Sequence, residues 1–509
     1  MAPRAENKLG RWGATSYMIG NTIGSGIFIT PTTILKNTKS VGISLVIWLV
    51  SAGASLMIAL CYVELGTSIR KSGADFAYMC HAKLYAIAFA FMTCGCVFLY
   101  PITLAVQAET FAEYVLRTLR VKFCDNQSTE VFLARKTISA VTIWLLLFLN
   151  FFSVRTIVAR FQIVASFAKI LATFAVILCG LYVLVCTETG YTNLRDPFAN
   201  PMPPPENLTS AFFAGLFSFD GWDVLNYGVE ELADPAKSMM FAAVLGMCSV
   251  TVIFLLMNIS YFIVLTIPQF MLTDAIALTF GAKLHPIIEH LMALLVSLVL
   301  IGSMNSTLFS ASRFLYAAAR SGQFPACISC VNARYDSPRF ALFLHVLLAI
   351  FISFIGDIAK LVDYIGFSQW SQRLVTVILL LYIRWSGLPV HPDAVRLPIL
   401  LPLVFLLASF GLIITTVVTK IGDVWPTPAI LFVSFIIYIV WFTDWCPLVS
   451  KNLTICYYAD KLNERSSRLA QIIFNGIIDR DTEEDSDEIE EKPEPAFEVV
   501  PKNGHNKQF

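Results

Sequence analysis

The chain reads as an all-α polytopic membrane protein of twelve transmembrane helices, on three observations. Of its 509 residues, 57% are apolar and only 14% charged, where a soluble domain carries about 25% charged residues. Twelve apolar stretches each approach the ~20 residues that a helix needs to cross hydrocarbon. Runs such as Leu145 to Leu149 lack the two-residue alternation of a membrane barrel strand. A large soluble enzyme, a disordered chain and a nucleic-acid partner are disfavoured together.

The spans fall near 13–35, 42–66, 86–115, 137–153, 158–186, 209–231, 240–266, 286–312, 340–356, 361–383, 397–419 and 427–445. Ahead of them, residues 1–12 are polar, with Arg4, Lys8 and Arg11 and no cleavable signal, so the first span is its own insertion signal. An even number of spans puts both termini on one side of the bilayer. That side is expected to be the cytoplasm, to which Lys451, Lys461, Arg465 and Arg468 after the last span add weight against a basic cluster in the external loop between spans 3 and 4. The tail, 446–509, changes character at 479. Residues 479–498 hold 11 acids against Arg480 and Lys492, so the zero net charge of the chain conceals a basic body and an acidic end. That end is too polar to bury a core and is expected to be disordered.

Two spans are interrupted. The first runs Gly20-Asn-Thr-Ile-Gly-Ser-Gly-Ile-Phe28, with Pro31 beyond. The sixth carries Asp220, Gly221 and Asp223 in mid-membrane. Helix breaks within lipid are tolerated where they line a cavity, and paired breaks in two halves of a chain point to a transporter's midplane site. The outer half of span 1 would start with free N–H groups of Ser25 and Gly26, suited to an α-carboxylate. Carbonyls near Thr22 and Ile23, and near Phe217 and Asp220 in span 6, suit an α-ammonium. One small molecule carrying both groups is an amino acid. Glycines also simply permit close helix packing, but the paired breaks with intramembrane acids favour the binding reading.

Most of the 12 cysteines lie within spans and read as packing residues. Cys327 and Cys330 have the spacing of a redox or metal pair, without a second pair to complete it. Cys124 falls in the external loop between spans 3 and 4, where a disulfide can persist. Lys169 lies deep in span 5, a costly position that marks a functional candidate.

Gly24-Ser-Gly-Ile-Phe28, Glu64-Leu-Gly-Thr67 with Lys71-Ser-Gly-Ala-Asp75, and Gly221-Trp222 with Leu225-Asn226 and Glu230-Glu231 resemble the L-type amino acid transporters. These are light chains of heteromeric exchangers within the amino acid–polyamine–organocation superfamily, and the resemblance runs from about residue 8 to about 445. It implies the leucine-transporter fold, with a first repeat at 13–186, an inverted second repeat at 209–383 and extra helices at 397–445. It also implies cofactor-free obligatory exchange of amino acids by alternating access at the plasma membrane. By the same resemblance Gly24, Ser25 and Gly26 hold the substrate carboxylate, and carbonyls of Thr22, Phe217 and Asp220 hold the ammonium. The Phe217 ring is then an outer gate, Lys169 stands in for a sodium ion between spans 1 and 5, and Gln369 faces the substrate side chain. Cys124 matches the cysteine that such light chains use to bond a single-span heavy-chain glycoprotein.

Selectivity is where the sequence departs from its relatives. Asp220 stands where neutral-amino-acid members have Gly and where the cystine- and dibasic-accepting member has Asp. Asp223 resembles the branch that exchanges cationic for neutral amino acids. Two readings of Asp220 stand: a carboxylate for a Lys or Arg side chain, or a cap for the resuming helix. Span 3 has Tyr100-Pro101 for the usual Arg-Pro, and span 10 is unusually polar from Ser368 to Arg373. Arg373 has Asp363 or a span-6 acid as a candidate partner, and pairing with Asp220 would weaken the case for cationic substrates. The expected function is thus sodium-independent exchange of large neutral amino acids, with cationic ones accepted if Asp220 is free to meet them. A uniporter, a proton-coupled symporter and a nutrient-sensing receptor are the alternatives. An enzyme is disfavoured, since no nucleophile elbow, phosphate loop or complete set of metal ligands is present in the sequence.

Overall fold

The computed structural model describes residues 9–71, 73–119, 129–152, 159–187, 194, 196–198, 201–332, 337–354, 358–442 and 453–479. The first span is two helices, α1 (Arg11–Thr22) and α2 (Gly26–Thr38), and α3 (Val41–Ser68) is the second. A short helix α4 (Ala74–His81) precedes the third span, built from α5 (Tyr85–Cys94), a π-turn at Gly95–Leu99 and α6 (Tyr100–Thr118). Spans 4 and 5 are α7 (Thr129–Phe152) and α8 (Ala159–Cys186). The sixth is again broken, into α9 (Pro205–Ser218) and the single turn α10 (Val224–Tyr227). There follow α11 (Pro235–Val264), the loop helices α12 (Ile267–Met271) and α13 (Ile276–Leu284), and α14 (Pro286–Arg320). The last four spans are α15 (Arg339–Ser353), α16 (Ile358–Ser386), α17 (Leu400–Val424) and α18 (Pro426–Phe442).

Each of the twelve expected spans therefore meets a helix or a broken pair. Seven helices among the described residues are long and apolar enough to cross a membrane uninterrupted, and α15 and α18 are shorter apolar helices. The remainder are the two broken spans and α16, which carries Lys360, Asp363, Arg373 and Arg384. Boundaries moved most in span 4, which starts at Thr129, and in span 8, which continues to Arg320. The loop helices α4, α12 and α13 had no counterpart in the sequence reading, because eight, five and nine residues are too few for periodicity to show.

Side chains cap several entries. Ser40 accepts from the Ile43 amide ahead of α3, and His285 Nδ1 accepts from the Ile287 amide ahead of α14. Asp234 accepts from the Lys237 amide at 3.3 Å and pairs with its ammonium at 3.1 Å. These two contacts, the ammonium first, hold its carboxyl below the usual carboxylate range.

Away from the two breaks, three ion pairs among the described residues tie spans together. Lys136 (α7) bonds Glu109 (α6) and the Ser353 carbonyl (α15), with the two charged side chains 4% and 2% exposed. Arg384 (α16) grips Glu64 (α3), Nε to Oε1 at 2.6 Å and Nη2 to Oε2, and also the Leu397 carbonyl. Lys420 (α17) meets Asp363 (α16) at 2.9 Å beside Ser210 of α9.

A further helix, α19 (Leu453–Phe474), follows the spans. Its end is clasped to the loop before α15. Strand β1 (Cys330–Val331) pairs antiparallel with β2 (Ile477–Ile478), and Arg339 donates to the Phe474 carbonyl at 3.0 Å. The Phe474 ring packs against Phe151, Phe340 and Phe343. The acidic stretch beyond, including Thr482 and Ser486, lies outside the described residues, as does most of the polar N-terminus.

Candidate functional site

The two interruptions face one another. α1 ends at Thr22, whose hydroxyl bonds back to Met18, and the chain bends through Ile23, Gly24 and Ser25 before entering α2. Ser218 closes α9, and Gly221 sits at φ +94°, a left-handed conformation that suits glycine. Three contacts stitch the breaks. Asn21 Nδ2 donates to the Gly221 carbonyl at 2.9 Å, and the Thr30 and Ser218 hydroxyls lie 2.5 Å apart. A Cβ on Gly26 would come within 2.6 Å of Ser218 Cα, so glycine is what lets α2 and α9 approach.

Beside this crossing lies a cavity of about 1010 Å³. Its walls include Asp220, Gly221, Asp223 and Gln369, and it extends past Tyr17 to Leu9 and Leu232, so it opens on the side where α1 begins. Thr22, Ile23, Gly24, Ser25, Gly26 and Phe217 are not part of this wall. Ser25 is 3% exposed and Phe217 8%, so in this conformation the span-1 turn and the aromatic ring are covered. The Phe28 amide donates to the Ser25 carbonyl at 3.0 Å, while the amides before it precede any intrahelical acceptor. The turn does not line the open cavity.

Lys169 reaches across from α8 and donates to the Gly20 carbonyl of α1 at 2.9 Å. A cation on the last turn of a helix is favoured by the dipole, and this contact joins spans 1 and 5 just ahead of the break. Asp363 is taken by Lys420, so Arg373 pairs with span 6: its Nη2 donates to Asp220 Oδ1 at 2.5 Å. Gln369 Nε2 donates to the other oxygen of Asp220 at 2.9 Å. Asp223 precedes α10 without capping it.

A second carboxylate, Asp75, escaped the sequence reading as a site residue. It is 7% exposed and accepts from the Tyr62 hydroxyl, from Thr376 Oγ1 at 2.6 Å and from Gln372 Nε2 at 2.9 Å. Its neighbour Tyr78 donates to Asn226, within α10. The signal was present in α16: Gln369, Gln372, Arg373 and Thr376 repeat at the spacing of one helix face, and that face serves both Asp75 and Asp220. Tyr100 also lines the cavity, its ring edge-on to Phe314.

Among the described residues no three His, Cys, Asp or Glu converge as metal ligands. Cys327 and Cys330 are buried near β1. Cys124 lies outside the described residues.

Residues 9–442 match the model of a family described as amino acid permease. The chain is 43% identical to amino acid transporter protein 6 of Caenorhabditis elegans, over 97% of this chain and 94% of that one. It is 29% identical to large neutral amino acids transporter small subunit 2 of Rattus norvegicus, over 97% and 91%. It is likewise 29% identical to b(0,+)-type amino acid transporter 1 of Homo sapiens, over 88% and 91%.

Proposed function

This chain belongs to the amino acid permease family, and from that premise we propose that it is a sodium-independent exchanger of large neutral amino acids in the plasma membrane. The observation that carries the reading is the stitched pair of broken spans beside a cavity walled by Asp220, Gly221, Asp223 and Gln369. The substrate carboxylate is held by the turn at Gly24, Ser25 and Gly26, and the ammonium by carbonyls of Thr22, Ile23, Phe217 and Asp220. Phe217 closes the outer route, and Lys169 supplies the positive charge that a sodium ion would otherwise bring to span 1. Rocking of one helix bundle against another alternates access, with repeats at 13–186 and 209–383, 397–445 as a peripheral pair and both termini in the cytoplasm. One relative named above supports the substrate class by the words "large neutral amino acids", and its "small subunit" fits a heavy-chain glycoprotein bonded through Cys124.

The test is counterflow in proteoliposomes. Labelled leucine should enter vesicles preloaded with unlabelled leucine and stay out of empty ones, equally in sodium and in choline. Uptake into empty vesicles would make the protein a uniporter, uptake driven by an inward proton gradient a symporter, and binding without flux a receptor. Co-expression with a heavy chain and non-reducing electrophoresis should yield a reducible high-mass band that Cys124→Ser abolishes.

A further inference from the structure

The polar face of α16 has no part in holding the substrate's backbone groups, and its most expensive member is Arg373. The residue is 5% exposed inside a membrane span. Its guanidinium lies 4.9 Å from the Trp222 ring and 5.8 Å from that of Trp370, both faces of which attract a cation. One nitrogen, Nη2, is spent on Asp220 Oδ1, while Nη1 is buried without a partner among the described residues. Asp220 is not equally sequestered. Its side chain is 33% exposed and forms part of the cavity wall. Gln369 occupies its second oxygen. A carboxylate at the edge of a binding cavity, with both oxygens filled from an opposing helix, is already ligated as a substrate arginine would ligate it.

We propose that Arg373 is a tethered cation that fills the Asp220 subsite and sets the pocket against cationic side chains. The inference rests on the reading of the cavity as an amino acid site and adds what selects the side chain. A free Lys or Arg side chain would have to displace a guanidinium that is held in place by its own helix and by two indoles. Neutral side chains meet a cancelled charge and pay no such penalty, so selectivity arises from a built-in competitor. The other two carboxylates of the wall do not change this comparison. Asp75 is saturated by Tyr62, Gln372 and Thr376, and Asp223 is the same in every variant below.

The experiment is a scintillation-proximity binding assay on the purified full-length protein, with labelled leucine, arginine and glutamate. Arg373→Gln uncovers Asp220 and should raise arginine binding relative to leucine by at least about tenfold, the scale of a close charge pair. Asp220→Asn instead releases the guanidinium into the same subsite and should raise glutamate binding, with arginine unchanged or weaker. The double variant Asp220→Asn/Arg373→Gln should show neither gain. An ion pair that only braces α16 against span 6 would lower all three ligands together and leave their ratios unmoved, and that result overturns the proposal. Should Arg373→Gln not fold, Asp220→Asn decides alone: no gain of glutamate refutes the tethered cation. Wild type that binds no leucine counts against the amino acid site itself, and the opposite charge preferences of the two single variants remain readable in that case.

Discussion

At Gly221 and Gly26 the chain has no room for a β-carbon. A Cβ at Gly221 would lie 2.6 Å from Asn21 Nδ2, on a backbone at φ +94°. Gly221→Ala is therefore expected to break the Asn21 contact and cost about 1–3 kcal/mol, seen as a lower melting temperature in detergent and loss of leucine counterflow. Lys169→Met keeps the length of the side chain and removes its charge. It should leave surface expression intact while abolishing counterflow, and unchanged flux would remove Lys169 from the mechanism. The breaks that hold these residues were legible in the sequence, because glycines and acids inside an apolar run have few structural excuses. The partners were not. Asp220 and Arg373 are 153 positions apart, and three acids on span 6 or span 10 offered Arg373 equal prospects until helix packing chose among them.

Among elements, apolar continuity gave away the spans, whereas short helices and the return of α19 onto the β1 loop left no periodic trace long enough to read. The ion pairs between spans are similarly invisible in sequence and mechanically important. Lys136→Met would leave Glu109 charged and 2% exposed, which should cost about 3–5 kcal/mol. The double variant Glu109→Leu/Lys136→Met should recover most of that loss in thermal unfolding, and failure to recover would show that Lys136 matters through the Ser353 carbonyl. At the start of α11, the depressed Asp234 carboxyl stabilises the charged cap above the ordinary carboxylate range. That contribution should fade as pH falls through its folded-state value. Hydrogen exchange at the Lys237 and Ser238 amides should accelerate relative to intrinsic rates on acidification, and Asp234→Asn should flatten the dependence.

For the molecule as a whole, the cavity reaches Tyr17, Leu9 and Leu232 on one side. On the other, Lys36 meets Asp274 at 2.7 Å and Lys420 meets Asp363. Tyr17→Cys, in a background lacking Cys124, Cys186, Cys248, Cys446 and Cys456, should react with a membrane-impermeant thiol reagent from the side of the N-terminus only. Equal labelling from both sides would mean a different resting conformation.

The stitching of the two broken spans has a thermodynamic corollary. Asn21 to Gly221, Thr30 to Ser218 and the glycine contact of α2 with α9 make one body of the two interruptions. A ligand held only by that body travels with it and meets identical contacts whichever way the protein faces, so it cannot bias the two orientations. Any preference for turning when loaded must come from what the ligand touches on helices outside the body. The polar face of α16 is the surface placed to register whether the seat is taken.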